Sequence, residues 1–351
     1  MKALVVGGGA VGTFLAATLT LGGANVTLVS RRVGPGRRKQ KIWLIRGKAA
    51  DEVLVDVVPA ARSADQTADL ILIATRAYDA GSAVDSLPST EATIVTIQNG
   101  VGTEELVRER RPITPLAAAS LTASVELARN DVTSRRKGGI GLASVDRSEQ
   151  LLPDLVERFT MAGLPARIYP DWRAMKWSKL IANLVGNATS ALVDMPVSDV
   201  YAHPRLFEVE RDQLREAICV VHALGLEPVS LRGADVSRLE LALGLPSLVA
   251  RTILALAVGG GRGGKDPSLR LALTGGAQQT EVDWLNGAVA RTGSDMGVDT
   301  PVNRALTELV TEAAADPELR NRMRGRPDAL VEAIEERRHQ HAAAGSRTTS
   351  E

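Results

Sequence analysis

Aromatic residues make up only 3% of this chain, too few for the stacking platforms that hold single-stranded nucleic acids. Charge of one sign is missing as well. The 42 basic and 41 acidic residues leave a net +1, with no excess of cations to draw a polyanion or an anionic membrane surface. The single cysteine, Cys219, has no partner for an internal disulfide and fits a reducing compartment. No stretch reaches the roughly 18 uninterrupted apolar residues expected of a membrane span. The four histidines, His203, His222, His339 and His341, offer no acid–base pair at a strand end, and no cluster has metal-ligand spacing. The expectation is a cytoplasmic protein without nucleic-acid, membrane or metal partners; the sequence does not give the oligomeric state, a homodimer being one assembly open to it.

What the chain does have is ordinary core-forming material, 44% hydrophobic and 24% charged over 351 residues, enough for about two domains of roughly 150 residues. The first half alternates strand-like and helix-like segments, the pattern of a Rossmann-type, doubly wound parallel sheet. Lys2 to Val6, Asn25 to Ser30, Leu70 to Thr75 and Thr93 to Ile97 read as strands, the last two as strands buried on both faces. Residues 42–58 read as a β-hairpin, and Gly138 to Ala143 as the strand that closes the sheet. Lys2 and the apolar residues after it could pass for a signal peptide, but a strand followed by glycines is the better reading. From about Asp171, Leu/Ala-rich helical periods take over, broken at Pro196, Pro204, Gly225, Pro246 and the Gly259–Gly264 run. The expected organisation is a dinucleotide-binding domain over 1–170, an all-helical domain over 171–325, and a charged helix with a disordered end over 326–351.

Gly7, Gly8, Gly9, Ala10, Val11 and Gly12 directly follow the first strand and open a helix. A lone G-x-G-x-x-G is weak evidence, but inside a strand–helix–strand unit of about 30 residues it is a dinucleotide fingerprint. Gly7 permits the tight turn, Gly9 lets backbone approach a pyrophosphate, and Gly12 lets helix and strand pack closely. The helix N-terminus then offers N–H groups and the positive end of its dipole. At the end of the second strand an NAD site places a carboxylate for the ribose 2′-hydroxyl. Here Ser30 is followed by Arg31 and Arg32. Guanidinium groups suit a 2′-phosphate, so NADPH is the expected cofactor and Arg31 the better placed of the two. Solvated loop arginines are the alternative.

Two further strands end in polar residues where an open α/β sheet presents its ligand crevice: Thr75-Arg76-Ala77-Tyr78-Asp79, and Gln98-Asn99-Gly100-Val101-Gly102. Asn99 beside a glycine can bond both cofactor and substrate, although Asn is also a common turn residue. In the helical half, Lys179, Asn183 and Asn187 stand at i, i+4 and i+8. On one continuous helix they share a face within about 80°, facing the interdomain cleft or forming an ordinary polar face. The segment Thr280-Glu281-Val282-Asp283-Trp284-Leu285-Asn286-Gly287 has Pro267-Ser268 upstream, and a Ser after Pro often just caps a helix.

Taken together these motifs closely resemble those of ketopantoate reductases (2-dehydropantoate 2-reductases), and the resemblance covers roughly residues 1–310. It implies NADPH-dependent reduction of a 2-oxo acid, ketopantoate to pantoate in pantothenate and coenzyme A synthesis. It further implies that Lys179 is the proton donor, that Glu281 positions groups around cofactor and substrate, and that Asn183, Asn187 and Ser268 bind substrate. Asn99 then serves both cofactor and substrate, and Arg76 stands where the family usually places a cofactor-contacting lysine. Val197 replaces a further substrate-binding asparagine, and Leu271-Ala272-Leu273 occupy the place of an aspartate usual after the Ser268 position. These departures touch the substrate side. A related two-domain dehydrogenase acting on another oxo acid, a 3-hydroxy acid or an imine is one alternative. A non-catalytic NADPH-binding regulator is another, disfavoured because a sensor needs only the N-terminal half.

Overall fold

Strands that lack polar alternation become central when both of their faces are covered, and the first strand illustrates how. In this computed structural model, which describes residues 1–64, 67–134, 138–261 and 266–348, Ala3 and Val5 face one core while Leu4 and Val6 face another. Contacts divide the chain into two compact units. Met1–Lys179 with Leu231–Ala234 form the first, and Leu180–Ser230 with Asp235–Glu351 the second.

The first unit contains β1 (Lys2–Val6), α1 (Ala10–Leu21), β2 (Asn25–Val29), β3 (Arg38–Arg46), β4 (Ala49–Val58), β5 (Leu70–Ile73), α2 (Ala80–Asp85), β6 (Thr93–Thr96), α3 (Thr103–Arg110), β7 (Leu116–Leu121), β8 (Val125–Ala128), β9 (Asp131–Ser134), β10 (Ile140–Asp146), α4 (Leu152–Met161), β11 (Ala166–Ile168) and most of α5 (Trp172–Leu184). Its strands form one 11-stranded sheet in the order β11-β10-β7-β6-β5-β1-β2-β4-β3-β9-β8. From β7 to β4 every neighbouring pair is parallel. The core on one face takes Phe14 and Leu15 of α1 with Leu155 and Phe159 of α4; the other takes Ala80 and Val84 of α2 with Val107 of α3. The buried phenylalanine, leucine and valine side chains among these each contribute about 1.5–3 kcal/mol. The segment Lys2–Leu21 is thus a central strand, a loop and a buried helix, as the strand reading expected.

Two features at the sheet's edges differ from expectation. The strand near Gly138–Ala143 does not close the sheet: β10 runs antiparallel to β7 and also accepts β11 as a parallel neighbour. At the other edge the expected hairpin is β3–β4, starting four residues early at Arg38, and it is extended by a second hairpin, β8–β9. That hairpin is built from two four-residue strands, VELA and DVTS, too short to register as a periodic pattern. Its turn uses Arg129 at φ 55.

The second unit holds α6 (Ala188–Val193), α7 (Val197–Ala202), α8 (Pro204–Ala223), α9 (Val236–Gly244), α10 (Ser247–Gly261), α11 (Ser268–Thr274), α12 (Asn286–Asp295), α13 (Pro301–Ala315), α14 (Pro317–Met323) and α15 (Pro327–Thr348). Prolines expected as breaks act as helix starts, Pro204 within the first turn of α8 and Pro196 as the residue before α7, because a missing N–H costs nothing there. The expected glycine break is described only as far as Gly261, where α10 ends; residues 262–265 lie outside the described residues. Helix α15 carries the backbone to Thr348, so residues 342–348 of the polar end for which the sequence suggested disorder are helical, while 349–351 lie outside the described residues. No described helix is long and apolar enough to cross a membrane.

Candidate active site

The glycine loop sits where the chain order reverses, between β1 and β5, the switch point at which open α/β sheets bind ligands. Three of its glycines are demanded by contact. Gly7 adopts φ +125, and a Cβ there would lie 2.7 Å from the Ala74 carbonyl carbon. A Cβ on Gly12 would lie 1.8 Å from the Gly7 carbonyl oxygen, so α1 could not approach β1 with any side chain at that position. Gly8 abuts Ser30 at the end of β2, 2.3 Å from its Oγ on the same construction. At Gly9 an added Cβ would meet nothing within 4 Å. The protein does not need this glycine for its own packing, and the bare backbone leaves room for a phosphate to approach. Gly9 also precedes α1, whose N-terminus carries no side-chain cap. Ala10 and Val11, in the first turn of α1, present their backbone N–H groups at that end. These residues fit a dinucleotide.

Around the loop, Arg31 is exposed and approaches Asp79, with Nη2 3.4 Å from Oδ2. Arg76, after β5, is exposed, and Asn99, after β6, is half-buried. The strand ends that carry them are tied together by Gln98, whose Nε2 donates to the carbonyls of Ile73 (2.8 Å) and Thr75 (3.2 Å). Gly100 and Gly102 follow at φ +86 and +102, a backbone that side chains rarely adopt. Lys179 belongs to this same unit, half-buried on α5.

A buried ion pair that sequence reasoning missed lies beside this loop. Lys176, one turn before Lys179 on α5, places Nζ 2.7 Å from the Gln98 carbonyl oxygen and 2.9 Å from Glu104 Oε1. The two side chains are 1% and 0% exposed. Glu104 Oε1 also accepts from Thr96 Oγ1 at 2.7 Å. A signal existed in hindsight: Lys176 is the only charged residue in the run Ala174–Ser178, whose other members are core-like. A lysine in a helix is nonetheless usually a surface residue.

The second unit carries the rest. The expected single stripe of Lys179, Asn183 and Asn187 does not form on one helix, because α5 ends at Leu184 and Gly186 turns the chain at φ +60. Asn183 is half-buried, one turn beyond Lys179. Asn187 is buried as the residue before α6, and its Oδ1 accepts from the Leu269 backbone N–H at 3.1 Å. That bond brings Asn187 to the first turn of α11, whose first residue is the half-buried Ser268. Ser268 does not cap this helix through its side chain; Pro267 occupies the cap position. Arg270 fixes the same pair of helices by an ion pair with Asp194 at 2.9 Å. Glu281 is buried beside Thr280, ahead of a short 3-10 turn over Val282–Trp284. Val197 packs against the Gly186 turn, its Cγ1 2.2 Å from where a Gly186 Cβ would stand.

The turn between Asn183 and Asn187 rests on a buried carboxylate that the sequence did not announce. Glu210 of α8 accepts from Gly186 N–H (2.6 Å), Tyr201 OH (2.9 Å), Gln213 Nε2 (2.7 Å) and the Thr189 hydroxyl. Gln213 in turn accepts from Asn286, and Asn286 and Asn303 bond each other. Glu216 completes this layer by accepting from the backbone N–H groups of Val302 and Asn303, both at 2.9 Å. Burial pushes the Glu216 carboxyl up from 4.5 to about 7, against the hydrogen bonds from Asn303 and Val302, which pull it down.

Comparison with known proteins places most of the chain. Residues 3–146 match the family model described as ketopantoate reductase PanE/ApbA, and residues 171–314 match the model of its C-terminal part. A 2-dehydropantoate 2-reductase of Pyrobaculum aerophilum is 29% identical over 245 residues, covering 68% of this chain and 75% of the relative. Among solved structures, a 2-dehydropantoate 2-reductase from Geobacter metallireducens superimposes with a TM-score of 0.73 at 20% identity, covering 90% of this chain and 100% of its own. A D-mandelate dehydrogenase, solved with NADH and anilino(oxo)acetate, superimposes with a TM-score of 0.72 at 20% identity, covering 91% and 99%.

Proposed function

The chain belongs to the ketopantoate reductase family of oxidoreductases, and from that premise we propose that it reduces a 2-oxo acid to the 2-hydroxy acid with NADPH, ketopantoate being the substrate. The observation that carries this reading is the grouping, within one compact unit, of the glycine loop, Arg31, Asn99 and the half-buried Lys179. When bound, the reduced nicotinamide supplies the hydride. Gly9 and the first turn of α1 hold the pyrophosphate. Arg31 binds the 2′-phosphate, releasing its weak exposed contact with Asp79. Arg76 and Asn99 complete the cofactor contacts.

The protonated amine of Lys179 polarises the substrate carbonyl and gives up its proton to the oxygen as the alkoxide develops. Asn99, Asn183, Asn187 and Ser268 hold the substrate carboxylate and hydroxyl groups with neutral donors, which add no charge to compete with Lys179. Glu281 positions the amine or a substrate hydroxyl. Val197 favours a second reading on the substrate side. An apolar side chain fills the space beside Gly186 where the family resemblance places an asparagine, which suits a 2-oxo acid with an apolar tail. The known D-mandelate dehydrogenase of similar fold, solved with an aryl oxo acid analogue, supports the same alternative.

The test is steady-state oxidation of NADPH and NADH by the purified protein with ketopantoate, 2-oxoisovalerate and phenylglyoxylate. The reading predicts the highest kcat/KM with NADPH and ketopantoate. A preference for phenylglyoxylate of at least about tenfold would move the assignment to the second reading, and no turnover of any 2-oxo acid would defeat both.

A further inference from the structure

The geometry points to Lys176 as a positioning residue that, paired with Glu104, sets where Asn99 sits relative to Lys179. This rests on the proposed roles of Asn99 and Lys179. Two charges enclosed at 1% and 0% exposure give up their hydration, and such a pair is often no more stable than apolar side chains of the same volume. Its value has to be sought in what it holds.

Three segments converge on it. Thr96 ends β6, and its hydroxyl bonds Glu104 Oε1. Gln98 lies immediately before Asn99, and its carbonyl takes the second N–H of the ammonium. Glu104 stands in the first turn of α3, where the positive end of the helix dipole favours a carboxylate. Lys176 itself is three residues before Lys179 on α5, so the two side chains leave neighbouring points of one helix face. The loop from Gln98 to Gly102 contains two glycines at positive φ and would otherwise be free to adopt other backbone conformations. Gln98 secures it on the other side through Ile73 and Thr75. The peptide ahead of Asn99 is therefore clamped between β5 and α5. Glu104 Oε2 is buried with no hydrogen-bond partner among the described residues. The carboxylate is held through one oxygen only, so the bond to Lys176 fixes it far more than a saturated network would.

Lys176→Met alone leaves Glu104 buried and unpaired and is expected to fold poorly. The informative protein is the full-length double variant Lys176→Met, Glu104→Gln, which removes both charges at nearly constant volume and keeps an acceptor for Thr96. Its amide hydrogen exchange at Asn99–Gly102 should rise at least about tenfold over wild type, with β1 and α1 unchanged. Its kcat with NADPH and ketopantoate should fall about 100-fold, the cost of a displacement near 1 Å at a reacting centre. The Kd for NADPH, to which Asn99 contributes one contact among several, should rise by about tenfold at most, less than kcat falls. Lys176→Arg, which keeps donors for both acceptors, should recover most of kcat, a rescue that a role in folding alone does not predict. Unchanged exchange in the double variant, or unchanged kcat in an active protein, overturns the inference. If the wild type itself reduces no 2-oxo acid, the functional reading fails, and the exchange at residues 99–102 alone decides the positioning claim.

Discussion

The two units fix the residues of the proposed site by different means. The sheet unit does so largely with backbone: glycines that let chain pass chain at distances no side chain permits, as at Gly7, Gly8 and Gly12. The helical unit does so with side chains: a layer of Glu210, Gln213, Glu216, Asn286 and Asn303 beneath the turn that carries Asn187. Backbone requirements leave their mark as glycine at fixed spacing, whereas a buried polar layer leaves scattered Glu, Gln and Asn residues that resemble any surface.

Glycine exchange offers the sharpest contrast. Gly12→Ala puts a methyl group 1.8 Å from the Gly7 carbonyl oxygen and should destabilise the protein by about 3 kcal/mol while abolishing NADPH binding. Gly9→Ala meets nothing, so its Tm should match wild type while its NADPH affinity falls about tenfold or more, the methyl group standing where a phosphate approaches. Thermal melts and NADPH titrations of both variants check this. Equal stability loss in the two would erase the distinction between a packing glycine and a ligand glycine.

The helical unit should respond to pH through Glu216. Burial raises the Glu216 carboxyl from 4.5 to about 7, so between these values the folded chain keeps a proton that the unfolded chain has released. Stability from this group is therefore present below pH 4.5 and is lost as pH rises to about 7, by about 3 kcal/mol at most. Urea unfolding of wild type should show this decline, and Glu216→Gln, which does not titrate, should flatten it. Identical pH profiles for the two proteins would remove Glu216 as the source.

Legibility followed the same division. The strand–glycine–helix unit, the β3–β4 hairpin and the helical character of the second half were readable, because apolar runs and fixed glycines report directly on backbone. The β8–β9 hairpin was not, since four-residue strands are shorter than any period that could reveal them. The spacing of Lys179, Asn183 and Asn187 is that of a single helix. Gly186 at φ +60 breaks it, and tertiary contact, through the bond from Leu269 to Asn187, decides where Asn187 lies. Lys176 and Glu104 were invisible for a plainer reason: charged residues are presumed to be outside until their partners are known.

A smaller effect bears on cofactor choice. Arg31→Ala removes an exposed guanidinium that, among the described residues, makes one ion pair, with Asp79 at 3.4 Å, so Tm should not change. The KM for NADPH should rise about tenfold with NADH unaffected. Equal losses for both cofactors would show that Arg31 does not read the 2′-phosphate.

The central claim is that the Lys179 amine delivers the proton during reduction. Single-turnover stopped-flow measurement of NADPH oxidation with ketopantoate, comparing wild type with Lys179→Ala, addresses it without interference from product release. The account predicts wild-type NADPH affinity in the variant and a reduction step slower by about 1,000-fold. A variant that binds NADPH normally and reduces ketopantoate at the wild-type rate would contradict it.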